Sequence, residues 1–168
     1  AQDISRETST RQQLETSEHH WRNLVISSAT ATAIYRGREM TIEAVNGAML
    51  SIWNKDASIN GKTFSEAFPE VEDQPFLRLL QNVFDTGIAH HTSEDAATLW
   101  VDGRLQELWF NYSYAPLKRE SGEIYGIIHT ATDITKQVLA RRDFEVQKQQ
   151  FQAMMEGSLL LKCLLDTK

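Results

Sequence analysis

Cysteine is nearly absent from this chain, Cys163 being the only one. That excludes a disulfide framework and any zinc site built on cysteine, and it fits a reducing, cytoplasmic compartment. Long apolar runs are missing too. No window reaches the roughly eighteen consecutive apolar residues that a membrane-spanning helix needs. The opening Ala1-Gln2-Asp3-Ile4-Ser5-Arg6 lacks the basic-then-apolar order of a secretion signal. Positive charge is in deficit: the net charge is −6 and the basic residues are scattered, which argues against a nucleic-acid-binding surface. Catalytic signatures are also lacking. There is no Gly-x-Ser-x-Gly elbow, no Gly-x-x-x-x-Gly-Lys phosphate loop, no His-Glu-x-x-His pair and no metal-ligand cluster. Nothing resembles a phosphoacceptor-histidine helix or an ATP-binding kinase lobe, so the chain reads as non-enzymatic. What is present, 41% hydrophobic and 24% charged residues, can bury a core without staples. The length fits one domain plus extra helical material.

The two ends repeat each other. At an offset of 130 positions, Ala1, Asp3, Ile4, Arg11 and Glu15 meet Ala131, Asp133, Ile134, Arg141 and Glu145. Conservative pairs follow: Ser5 with Thr135, Leu14 with Phe144, Trp21 with Phe151, Leu24 with Met154. An offset of one domain length points to a tandem array whose junction occurs here twice. Both copies read as helices in which Leu14, Trp21, Leu24 and Phe144, Phe151, Met154 keep the seven- and three-residue steps of a coiled-coil seam. Ser17 and Gln147 dilute that seam. Such a stripe needs a cover, either its own domain or a second subunit. The expected organisation is a connector over 1–20, a domain over 21–136, and a connector with the start of a next module over 137–168.

Between the junctions the pattern changes. Ala33–Gly37 and Met40–Val45 read as short strands around a turn. Asn46 is a candidate N-cap for a helix running to Trp53. Residues 58–68 read as short helical turns that Pro69 halts. Phe76, Leu79, Leu80, Val83 and Phe84 share one face of a longer helix, with Pro75 in its first turn and Gly87 at its C-terminal end. Thr98–Val101 then leads into Asp102-Gly103, a hairpin signal. Phe110, Tyr112 and Tyr114 alternate with polar neighbours, and a turn at Gly122 feeds Ile124–Thr132. This is an α+β fold, an antiparallel five-stranded sheet with helices on one face.

The order of elements, Asn46 after the second strand, Pro116-Leu117 closing the long strand, Gly122 in its turn and Asp133-Ile134-Thr135 ending the last strand resemble a PAS domain with its C-terminal motif. The style is similar to tandem arrays in bacterial sensor histidine kinases. The resemblance implies a regulatory relay with Asp133, Ile134 and Thr135 coupling sheet to exit helix. It also implies neighbouring PAS and kinase modules in a phosphorelay, and a homodimer through the connectors. In flavin-binding members a reactive cysteine sits where this chain has Phe64, so a covalent flavin adduct is disfavoured. Heme-binding members commonly use a histidine of the long helix, and residues 76–86 hold none.

A generic apolar pocket remains. Phe64, Phe76, Leu80, Phe84, Phe110, Tyr112, Tyr114 and His129 are its candidate lining. They either orient a small ligand through the two hydroxyls or simply fill the core. His129 reads as a satisfied structural histidine, a ligand donor, a heme or metal ligand, or a pH-sensitive group. His90 and His91 point to opposite faces of a strand, and His19-His20 read as solvated helix surface. Glu70, Glu72, Asp73, Glu94 and Asp95 read as solvated loop charge.

Overall fold

Pairing between the first and last strands closes the sheet. In the computed structural model, which describes residues 2–166, strand β1 (Ala31–Arg36) lies between β2 (Thr41–Val45) and β5 (Ile124–Asp133), antiparallel to both. Beyond β5 come β4 (Arg104–Lys118) and β3 (His90–Val101), giving the order β2-β1-β5-β4-β3. Ala1, the first residue of the terminal repeat, and residues 167–168 of the second connector lie outside the described residues.

The strands supply one wall of the core in strict alternation. Ala31, Ala33 and Tyr35 of β1, Ile127 and Ala131 of β5, Phe110, Tyr112 and Tyr114 of β4, and Ala97 and Leu99 of β3 are buried in a single cluster. The other wall comes from helices α2 (Gly47–Trp53), α3 (Phe64–Ala67) and α4 (Phe76–Thr86), with 3-10 turns at Ala57–Ile59 and Pro69–Val71. Phe76, Leu80 and Val83 are buried on the expected face of α4, while Leu79 and Phe84 are only partly covered. Gly87 ends α4 at φ 72°, a left-handed conformation that suits glycine. Pro75 is the N-cap of α4, one position earlier than expected, where its missing N–H leaves no donor unpaired. Pro69 opens a 3-10 turn as well as following a helix.

Strand β3 is much longer than the four residues its periodicity showed. Its register jumps from Thr92 opposite Tyr112 to Asp95 opposite Phe110, so one extra residue interrupts the alternation. Glu94 sits there at φ 57°. The Asp102-Gly103 turn is as expected, with φ 51° and 74° at its two residues. Both sheet edges are partly covered. Gln74 accepts from the Thr98 backbone N–H at 2.9 Å and donates to its carbonyl at 3.0 Å on β3, while residues 61–64 bond to the backbone of Met40 and Ile42 beside β2.

The chain divides into one compact unit up to Asp133 and a second from Ile134 onward. Within the first, helix α1 (Gln2–Ser27) runs unbroken through residue 20, so the expected border at 20/21 falls inside a helix. The second unit is helix α5 (Thr135–Asp166).

Asn46 ties α1 to the sheet. Its side-chain oxygen accepts from Met49 N at 3.0 Å, the expected N-cap bond, and from Thr32 N at 3.0 Å. Its amide donates toward three carbonyls, Val25 at 3.3 Å, Ser28 at 3.1 Å and Thr30 at 2.7 Å. The residue is 1% exposed, so losing these bonds strands buried acceptors. Asn46→Ala is therefore expected to lose about 4 kcal/mol, combining a lost cap with unsatisfied carbonyls. Asn46→Asp keeps the cap but turns a carboxylate oxygen on those carbonyls. Urea unfolding at pH 7 should find it at least as damaged as the alanine variant; an aspartate that restores stability would show that only the cap matters.

Candidate functional site

A cavity of about 50 Å³ lies between the sheet and the helical wall. Of the expected lining, Phe64, Phe76, Phe110, Tyr112, Tyr114 and His129 border it. Leu80 and Phe84 do not: Leu80 is sealed in the core at 0% exposure, and Phe84 lies at its partly covered margin. Sequence reading missed Ile52, Trp53, Phe68, Val71, Ala97, Leu99 and Ala131, which complete the wall. Ala97 and Ala131 are the small members, and space remains where two strands carry methyl groups opposite large rings. Aromatic edges fill the rest. Phe76 meets Tyr112 at 5.9 Å, Trp53 meets Phe68 at 4.8 Å, and Phe64 meets Tyr35 at 6.1 Å, all edge to face.

His129 is the polar centre of this wall. It is buried on β5 opposite Ala33 of β1 and Tyr114 of β4. Nδ1 shares a 3.1 Å hydrogen bond with the Tyr35 hydroxyl. The ring of Tyr114 meets it edge-on at 4.7 Å. Burial pushes its pKa down to about 3, so the ring is neutral in the fold. Burial likewise drives the Tyr35 and Tyr114 hydroxyls up. Tyr112 is raised by burial and then by donating to Asp95 Oδ2 at 2.7 Å. The lining thus carries no charge at neutral pH.

The site does not fit heme or flavin. About 50 Å³ is far below the few hundred Å³ of a cofactor pocket. One ring nitrogen of His129 is already engaged by Tyr35. No group of three or more His, Cys, Asp or Glu among the described residues is placed to hold a metal ion.

Two acidic residues depart from the solvated reading. The Glu70 side chain is 2% exposed and lies 3.0 Å from Lys55 Nζ, an ion pair without hydrogen-bond geometry at either carboxylate oxygen. Asp95 is half-buried and holds Tyr112. A bulge and a non-periodic turn place them, and neither leaves a trace in apolar periodicity. Glu72, Asp73 and Glu94 are exposed as expected, as are His19, His20 and His91. His90 stacks on the ring of Tyr114 at 6.1 Å and meets that of Tyr112 at a tilt, at 6.0 Å.

The seam candidates stand open. Leu14 and Leu24 on α1 are 61% and 60% exposed, and Phe144, Phe151 and Met154 on α5 range from 63% to 74%. Trp21 is half-buried. Asp133 ends β5 opposite Phe110, Ile134 follows it, and Thr135 begins α5.

A five-stranded antiparallel sheet wrapped on short helices around a small aromatic cavity, with a long helix at each end, defines a sensory α+β module. The chain belongs to the PAS fold family, whose model matches residues 26–139, and it is a PAS sensor domain. Solved structures share this fold. The PAS domain of Bordetella pertussis BvgS is 20% identical, with TM-score 0.56 over 80% of this chain and 98% of that one. A sensory box sensor histidine kinase from Vibrio cholerae is 20% identical, with TM-score 0.50 over 75% and 98%. An RNA-binding light-oxygen-voltage receptor is 13% identical, with TM-score 0.60 over 80% of this chain, which spans 37% of that receptor's length.

The buried neutral histidine gives a pH dependence of definite sign. Above about pH 6.5 both folded and unfolded states hold it neutral and it contributes nothing. Below that, only the unfolded state takes up the proton, so stability falls as pH drops toward 3. Between pH 7 and 5 the wild type is expected to lose about 2 kcal/mol more than His129→Gln. Paired urea titrations of the two proteins test this; parallel losses would mean His129 is protonated in the fold.

Proposed function

We propose that this chain is a relay module of a cytoplasmic, dimeric signalling protein of the sensor histidine kinase type. It passes a conformational signal from α1 to α5. The observation that carries the reading is the register of β1 on β5: Ala31 pairs with Ala131, and Thr32 with Thr130. The start of the strand that α1 feeds therefore lies beside the end of the strand that feeds α5. Asn46 fixes the last turn of α1 to that point through Val25, Ser28 and Thr32. A small rotation of α1 then acts on the end of β5 directly, and Asp133, Ile134 and Thr135 are the residues that transmit it. The similarity to the sensory box sensor histidine kinase structure supports this parent class.

The exposed apolar residues of both connectors support pairing with a second copy, since water-facing stripes of this kind are covered by a partner in long signalling helices. A small cavity also favours a second reading, a passive dimerisation spacer with a filled core. Two experiments decide. In sedimentation equilibrium the chain should be a dimer, and Leu14→Glu with Phe144→Glu should make it monomeric without lowering its melting temperature. A wild-type monomer removes the seam. In the parent kinase, inserting one residue after Arg142 turns the helix by about 100°, whereas seven restore the seam phase. A relay changes kinase output by roughly tenfold with one and little with seven; equal output from both identifies a spacer.

A further inference from the structure

The last eight described residues of α5 do not behave like the helix before them. In the seam phase set by Phe144, Met154 and Phe151, the next positions are Ser158, Leu161 and Leu165. Leu159, Leu160 and Leu164 fall outside it. All five leucines are 59% to 71% exposed and spread over about two thirds of the helix circumference, with Lys162 and Asp166 on the remaining face. An apolar arc this wide is more than a two-stranded seam covers.

The terminal repeat gives these residues another identity. Carried on at the same offset, Ser28 meets Ser158, and Ala31 to Arg36 meet Leu161 to Asp166. The first of these segments is β1. It is buried on both faces, from Ala31 at 5% to Tyr35 at 0%, and only Arg36 is exposed. A central strand covered on both faces reads as a mostly apolar run, and Leu161-Lys162-Cys163-Leu164-Leu165-Asp166 repeats the pattern of Ala31 to Arg36, with Lys162 in the place of Thr32, the other polar residue inside the run. Gly157-Ser158 matches Ser27-Ser28, where α1 stops.

We infer that residues 161–166 are the first strand of a second module of this same fold, and that α5 is the junction helix between the two. The partner this segment fits is an antiparallel strand of the β5 kind, supplied by the module that follows. The inference rests on the repeat and on burial, and stands whether the first module relays or merely spaces.

Cys163 is the natural probe, because it takes the place of Ala33, which is 0% exposed, whereas here its side chain is exposed. Its alkylation rate, localised by mass spectrometry, is compared between this chain and the full-length parent. The expected result is a slowing of roughly a hundredfold in the parent, reversed by denaturant. Cys163→Ser with Asp166→Cys, at the position of exposed Arg36, should react at similar rates in both. Equal reactivity of Cys163 in the two proteins overturns the inference. So does equal protection of positions 163 and 166, which is burial of another kind.

Discussion

The antiparallel contact between β1 and β5 is the constraint on which the domain depends. It joins residues 31–36 to 126–131 and so closes a sheet whose other strands are linked by hairpins. Closure requires Gly126, because a Cβ there would run into the Tyr35 carbonyl oxygen. The same pairing brings the Tyr35 hydroxyl to His129 and sets the two alanines Ala33 and Ala131 into the floor of the core. Bringing distant segments together costs chain entropy, and here that cost is offset by burial on both faces of β1. Asn46 then locks the preceding helix to the strand so formed.

The core that results is filled rather than hollow. Large rings from both walls meet edge to face, and the remaining space is near the scale of a few water molecules. Its polar groups are mostly spent on one another: Tyr35 on His129, Tyr112 on Asp95. Such pairing satisfies buried hydroxyls and fixes rotamers. It makes the interior a rigid support with little room for a large cargo.

Much of this was legible in the residues, and the failures have physical causes. The five apolar positions from Phe76 to Phe84 announced α4 because its period survives intact. Asp102-Gly103 announced its hairpin because few residues accept two successive left-handed conformations. Alternation in Phe110, Tyr112 and Tyr114 placed the inner face of β4 correctly. The first half of β3 was illegible because the bulge at Glu94 breaks the alternation that marks a strand. Trp53, Phe68 and Val71 were missed because they lie at the ends of one-to-two-turn elements, too short to show a period. The cap at Asn46 was local and visible; its three carbonyl partners come from tertiary packing, and no sequence pattern encodes them.

A filled core does not argue against the proposed relay, because the route proposed between the ends does not cross it. In an antiparallel pair the beginning of one strand necessarily lies beside the end of the other. A module whose first and last strands pair in this way presents entry and exit at one edge, whatever its interior holds. The interior can then vary freely: enlarged to admit a ligand in one copy, closed in another, with the junction geometry unchanged. Repetition of the junction sequence at both ends of this chain is what such an arrangement favours. Connectors of similar sequence would let successive modules be joined in phase, and in the proposed relay each module needs only to bias the angle at which its last strand releases the next helix.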